Sequence, residues 1–241
     1  MNITERQREV LMAIIKEFME SADEIGSVTL LEKYNFGVSS ATIRNEMVCL
    51  MEEGFLEKSH VSSGRFPTDQ AIRMYVKKQL EDASSNPMLS IEIKQGIYRE
   101  RFSKDAVINS VLNLLSQNTN SIAFVVLDGI LRYWGVSNIL RYEELNNEET
   151  LRSLINIIED PTFLVKLCQK YGSSKVSLLI GEEFGIKNLE DCSIAFIKTP
   201  FWESKESYVG VLGAKRMDYR KVVIALKEVR NSLQTSMQGW S

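Results

Sequence analysis

Ser39 and Ser40 offer a helix start, Gly54 offers a helix stop, and the segment from Ser62 to Thr68 turns the chain back on itself. Few folds satisfy all three demands within thirty residues. The string is Val38-Ser39-Ser40-Ala41-Thr42-Ile43-Arg44-Asn45-Glu46, and either serine can supply the side-chain oxygen that a free helix N-terminus needs. Ile43, Met47, Leu50 and Met51 then recur at i, i+4, i+7 and i+8, which makes one apolar stripe. Arg44 and Asn45 lie off that stripe and so face away from a core. Gly54 fits the left-handed position just past a helix end. Phe55-Leu56-Glu57-Lys58 and Arg65-Phe66-Pro67 flank a tip at Val61 to Gly64, and Pro67 restricts its strand to an edge or an end. A helix over about 39–53 therefore leads into a hairpin arm over about 58–67.

The flanking residues extend the pattern. Thr4-Glu5-Arg6-Gln7 reads as a capping box, followed by Val10, Leu11, Ile14, Ile15 and Phe18 at helical spacing to an end near Ser21. Ile25-Gly26-Ser27 makes a turn and a new N-cap for a short helix from Val28 to Tyr34. Thr68-Asp69 caps a fourth helix through Ala71, Ile72, Tyr75, Val76 and Leu80. Three helices and a two-stranded hairpin form the winged helix-turn-helix pattern, assigned to residues 1–81.

The chemistry of this pattern is that of DNA recognition. Ser39, Ser40 and Thr42 sit where free amides and the positive end of the helix dipole favour phosphate. Arg44 can fork onto guanine O6 and N7, and Asn45 can pair with an adenine edge. Lys58 can touch phosphate, Ser62 and Ser63 allow close approach of the hairpin tip, and Arg65 with His60 lies beside it, where a narrow minor groove attracts Arg. The net charge of −3 suits no polyanion sponge. Yet residues 58–78 hold Lys58, Arg65, Arg73, Lys77 and Lys78 against Asp69 alone, so positive charge is local, as a docking surface requires.

Residues 82–88, beginning Asp82-Ala83-Ser84-Ser85-Asn86-Pro87, read as a linker to a second domain over 89–241. Helices are expected at Leu89–Arg101, Lys104–Gln117, Glu148–Ile158, from Asp160-Pro161 through Tyr171, and after Asp218 to the end. Ile122–Leu127 is a continuous apolar run and reads as a central strand. Further strands are expected at Arg132–Leu140, Lys175–Ile180, Cys192–Lys198 and Ser207–Leu212. The whole is an α+β chain whose second domain carries a mixed sheet packed by helices.

Several chemistries lack their residues. Cys49, Cys168 and Cys192 are far apart, no C-x-x-C pair exists, and His60 is the one histidine, so no Cys/His metal site and no Ser–His or Cys–His pair is expected. Each Cys reads as a small core residue. Glu182-Glu183 have no partner histidine, and Gly210-x-x-Gly213 before Lys215-Arg216 lacks P-loop spacing. Trp134, Trp202 and Tyr208 read as core or interface residues. No enzyme and no cofactor is expected. The N-terminus lacks a signal-peptide core and no long apolar run exists, so a cytoplasmic location is expected and no membrane partner.

These strings resemble the HrcA family of heat-inducible transcription repressors. The likeness runs through Thr4–Leu11, Gly26-Ser27, Val38–Met47, Glu52–Leu56, His60, Ser62–Arg65 and Pro67–Asp69. It returns in Gly135-Val136-Ser137-Asn138-Ile139-Leu140, Ile180–Glu183 and Gly213–Tyr219. The resemblance implies a dimeric repressor whose winged helix binds an inverted-repeat operator upstream of chaperone genes. It also implies a GAF-like second domain, and a GroEL-type chaperonin that promotes the active form. One departure is plain: the family carries a long segment with an inserted dimerising domain before Gly135, where this chain has only Asp128 to Trp134. The second domain is thus expected to be a truncated GAF-like mixed α/β domain. Two other functions fit the same residues: a GAF-like domain that senses a small ligand, and a winged helix that contacts protein and not DNA.

Overall fold

A computed structural model describes residues 3–58, 64–81, 86–201, 204 and 206–238, with side chains to 235. The chain divides into two compact units, Met1–Asp82 and Ala83–Ser241.

In the first unit, α1 (Glu5–Ser21) begins at the capping box: the Gln7 amide donates to Thr4 Oγ1 and the Thr4 amide to Gln7 Oε1. α2 (Ser27–Lys33) takes Gly26 as its N-cap, not Ser27 as the sequence suggested, and the Ser27 side chain is buried. α3 (Ser40–Glu52) is capped by Ser39. At its far end the Gly54 amide donates to the Met51 carbonyl and the Phe55 amide to the Leu50 carbonyl. This paired closure needs the left-handed backbone that Gly54 adopts at φ 77°. β1 (Leu56–Glu57) and β2 (Phe66–Pro67) pair antiparallel, and α4 (Asp69–Glu81) follows Thr68. Val10, Leu11, Ile14, Ile15, Leu30, Ile43, Leu50 and Leu56 form the core beneath them.

Glu17 of α1 is buried and ion-pairs with Lys33, while the Tyr34 hydroxyl donates to its other oxygen at 2.8 Å. The Lys33 contact holds the Glu17 carboxyl below its ordinary value, against the opposing effect of burial. Burial, then the Glu17 hydrogen bond, pushes the Tyr34 phenol up to about 12. This cluster fastens α2 to α1.

The second unit opens with α5 (Pro87–Arg99), whose N-cap is Asn86 and whose first residue is Pro87. Residues 87 and 88 thus belong to the helix and not to a linker. Pro suits this position because its missing N–H has no helical partner to lose. α6 (Lys104–Thr119) leads into the sheet. Its strands are β3 (Ile122–Leu127), β4 (Ile130–Trp134), β5 (Ser177–Ile180), β6 (Cys192–Lys198) and β7 (Ser207–Ala214), in the order β4-β3-β7-β6-β5. Every pairing is antiparallel. The mixed sheet expected from the sequence is therefore corrected. Unbroken apolar runs signal strands covered on both faces, and helices cover both faces here whatever the strand direction. Ile122, Phe124 and Val126 join the core beneath α7 (Glu148–Glu159) and α8 (Thr162–Tyr171), while α6 and α9 (Tyr219–Gln238) approach from the other side. β3 is interior, and β7 holds the centre.

The strand expected over Arg132–Leu140 ends at Trp134. Gly135 adopts φ 85° and starts a 3-10 turn over Val136–Arg141. Before it, Asp128 and Gly129, both at positive φ, close a two-residue hairpin between β3 and β4. Cys168 and Cys192 are buried, and Cys49 is half-buried. Burial pushes the Cys192 thiol up to about 12. Tyr208 is buried but Trp134 is exposed, and Trp202 lies outside the described residues. Among the described residues no helix is long and apolar enough to cross a membrane.

Two outcomes test this packing. Gly210 pairs across the sheet with both Phe124 and Phe196, and a Cβ there would stand 2.3 Å from Phe124 Cζ. Gly210→Ala should cost about 1–3 kcal/mol in urea unfolding, as overpacked cores do; an unchanged midpoint would show that the rings move freely. A Glu17 carboxyl that titrates below 4.5 when folded stabilises the protein above that value, and the stabilisation is lost as pH falls through the folded value. The wild type should therefore exceed Glu17→Gln in stability at neutral pH, and urea titrations should show the gap narrowing as the pH falls below the ordinary carboxylate value.

Candidate nucleic-acid interface

The exposed face of α3 consists of Ala41, Arg44, Asn45, Val48 and Glu52, while Ile43, Met47 and Leu50 turn inward. Arg44 and Asn45 thus stand clear of the core, as their spacing predicts. Val48 is 42% exposed on the same face, one helical turn beyond Arg44. The sequence reading missed it because an isolated Val carries no polar signal.

The hydroxyls at the start of α3 have local work. Ser39 Oγ accepts from the Thr42 amide at 3.3 Å and lies 3.0 Å from Thr42 Oγ1. The two side chains cap the helix together. Ser40 is its first residue, at the end where amides lack helical acceptors.

The hairpin is fixed by its neighbours more than by its own two short strands. The Ile25 amide donates to the Arg65 carbonyl at 2.9 Å, and the Arg65 amide donates to the Ile25 carbonyl at 3.1 Å. A third extended segment thereby joins β1 and β2. Gly64 is buried in this contact, and a Cβ on it would stand 2.5 Å from the Glu24 Cβ. Thr68 closes the other side, donating its hydroxyl to the Gly54 carbonyl at 2.8 Å.

Arg65 does not project freely from the hairpin. Its Nε donates to Met51 Sδ at 2.7 Å and its Nη1 to the Gly64 carbonyl at 2.9 Å. This places the guanidinium beside α3. Ser27, Arg44, Met47, Lys58 and Arg65 together line a concavity of about 230 Å³. Three cations meet there, and among the described residues no carboxylate lines it. His60, Ser62 and Ser63 lie outside the described residues, as does the Val61 at the tip. Asn45 stands on the exposed face but does not line the concavity. Ser27, which does, drew attention in the sequence only as a cap.

A convergent positive concavity beside an exposed helix face attracts polyanions, and nucleic-acid-binding proteins present surfaces of this class. The chain belongs to the HrcA family: residues 39–223 match the family model described as the HrcA protein C-terminal domain. A heat-inducible transcription repressor HrcA of Clostridium botulinum (strain Alaska E43 / Type E3) is 24% identical across the whole of both chains. That alignment runs over 344 positions, of which this chain supplies 241. A repressor of the same name from Leifsonia xyli subsp. xyli is 36% identical over 66% of this chain and 45% of its own length. A crystal structure at 2.2 Å of a protein described as hypothetical shares the fold, with a TM-score of 0.78, 20% identity, and 100% and 99% of the two chains covered.

Ser39→Ala removes the oxygen that serves the Thr42 amide, so it should lower stability by about 0.5–2 kcal/mol. Ser39→Asp should restore most of the loss in denaturant titration, since a cap needs an acceptor and not a hydroxyl as such. A Ser39→Asp protein no more stable than Ser39→Ala would remove the capping role.

Proposed function

We propose that this chain is a heat-inducible transcription repressor that binds an inverted-repeat operator upstream of chaperone genes as a homodimer. In this reading residues 1–81 form a winged-helix domain, with α3 as recognition helix and β1–β2 as the base of the wing. Residues 87–241 form a truncated GAF-like domain for regulation and dimerisation. The observation that carries the DNA reading is the meeting of Arg44, Lys58 and Arg65 around one concavity beside the exposed face of α3. Family membership supports the repressor role, since the relatives carry that name. The homodimer, the chaperone-gene target and a GroEL-type chaperonin partner rest on the family resemblance alone.

The roles follow from chemistry. Arg44 and Asn45 read base edges in the major groove, and Val48 offers an apolar contact for a thymine methyl. The start of α3, with Ser39, Ser40 and Thr42, sets the helix against phosphate. Lys58 holds the backbone beside the wing, and His60, Ser62 and Ser63 accompany it. Arg65, pinned to Met51 and Gly64, acts as a fixed charge at the wing base more than as a finger reaching into a minor groove.

Selection of bound sites from random DNA should recover an inverted repeat, whose symmetry would report the dimer. Arg44→Ala should weaken binding by about 1–3 kcal/mol and relax preference at one position in each half-site. Lys58→Ala should weaken all sequences alike and lower the slope of affinity against salt by about 1. A pool with no enriched repeat, or an Arg44→Ala protein that binds as the wild type at fixed salt, would overturn the reading.

A further inference from the structure

The second unit contains a cavity of about 320 Å³ that no step of the DNA reading uses. It lies where β6 ends at Lys198 and Thr199 and where β7 begins, against the face of α9 that carries Arg230 and Gln234. Ser174 and Ser204 complete the mouth. Two cationic side chains and several hydroxyls line it, and no carboxylate does among the described residues.

Arg230 gives the cavity its direction. Its Nε is buried and has no hydrogen-bond partner among the described residues. A buried guanidinium N–H without an acceptor is a desolvation cost left unrecovered, and native structures seldom leave one so. Glu228 does not serve it: residues two apart on a helix point to different sides, and the Glu228 carboxylate lies 3.8 Å from Lys94 Nζ. None of the lining hydroxyls accepts from it either. Ser207 donates to the Thr199 carbonyl, and Ser204 donates to Asp128 Oδ1 at 2.8 Å. No described residue of the lining supplies the missing acceptor.

We propose that this cavity binds a small organic anion whose phosphate or carboxylate oxygens accept from Arg230 and are neutralised by Lys198. A planar guanidinium favours such an oxyanion over chloride, because two oxygens can meet its fork of donors. The volume lies at the low end of ligand pockets, which run from about 300 Å³ upward, so the ligand is a small metabolite and not a dinucleotide. Gln234, one turn beyond Arg230, supplies an amide for a neutral polar group on the same molecule. The proposal does not depend on the repressor reading.

The test is calorimetric titration of the full chain with inorganic phosphate, glucose 6-phosphate and citrate at constant ionic strength. It is run in an Arg44→Ala/Lys58→Ala background, so that the concavity of the first unit cannot account for the heat. Saturable binding by a phosphate probe assigns a phosphate site, and binding by citrate alone assigns a carboxylate site. Arg230→Met and Lys198→Met should each weaken the binding at least tenfold. Arg230→Met should unfold no lower in temperature than its parent when no ligand is present, because the N–H it removes has no partner. A structural arginine would instead lose stability. No saturable binding by any probe, or affinity unchanged in both variants, overturns the proposal. So does binding that exists in the wild type and vanishes in the Arg44→Ala/Lys58→Ala parent.

Discussion

The reciprocal hydrogen bonds between Ile25 and Arg65 set the geometry of the first unit. Two-residue strands such as β1 and β2 cannot hold a hairpin in place by themselves. Pairing with the segment between α1 and α2 gives the hairpin a third strand and a fixed bearing on α3. Gly64 permits the approach, since any side chain there would strike Glu24. The same pairing puts the Arg65 backbone where its guanidinium can reach Met51, on the helix whose outer face carries Arg44. Sequence neighbours thus fix a helix and a hairpin, but one long-range backbone pairing turns them into a common surface. The glycine in Ser62-Ser63-Gly64-Arg65 reads from sequence as room for close approach by DNA. In the fold its first duty is internal.

That difference marks what was legible. The start and stop of α3 were plain in the sequence because capping and left-handed closure are local chemistry: Ser39, Thr42 and Gly54 act within a few residues of themselves. The inward stripe Ile43, Met47 and Leu50 was plain for the same reason. Ser27 and Val48 were not, because their relevance comes from what stands opposite or beside them. The error at β4 is of another kind. Asp128-Gly129 is a strong hairpin signal, yet the strand expected over Arg132–Leu140 runs through Gly135, which in fact turns the chain.

The family strings in the second unit have structural reasons of the same sort. Gly135 admits the positive φ and lies so close to Ser116 that a Cβ would overlap its hydroxyl. Asn138 Nδ2 then donates to Ser116 Oγ at 2.9 Å and to the Ser121 carbonyl at 3.1 Å, tying the turn to the end of α6 and the approach to β3. Gly213 leaves room for Ser121. The pair Gly210 and Gly213, which superficially suggests a phosphate loop, lies within β7. Lys215 and Arg216 beyond it are matched by Asp191 and Glu144. This chain fills fewer positions than its longer relatives, and a two-residue turn at Asp128-Gly129 is enough to close β3 onto β4. The sheet runs β4-β3-β7-β6-β5 with every neighbour paired antiparallel.

Charge completes the argument for where function resides. The acids outnumber the bases in the first unit, which on totals alone disfavours DNA. Two of the acids, however, serve packing: Glu17 engages Lys33 and Tyr34 between α1 and α2, and Glu46 engages Arg6 at 3.1 Å. Arg44 and Lys58 form no ion pair with any described residue, though both stand on the surface and share one concavity. An ionised side chain left without a counterion beside like charges raises the local potential, and a polyanion lowers it. The negative sum and the positive surface are therefore compatible. Glu17 and Glu46 neutralise bases on the helices they pack against, while Arg44 and Lys58 border the concavity beside α3.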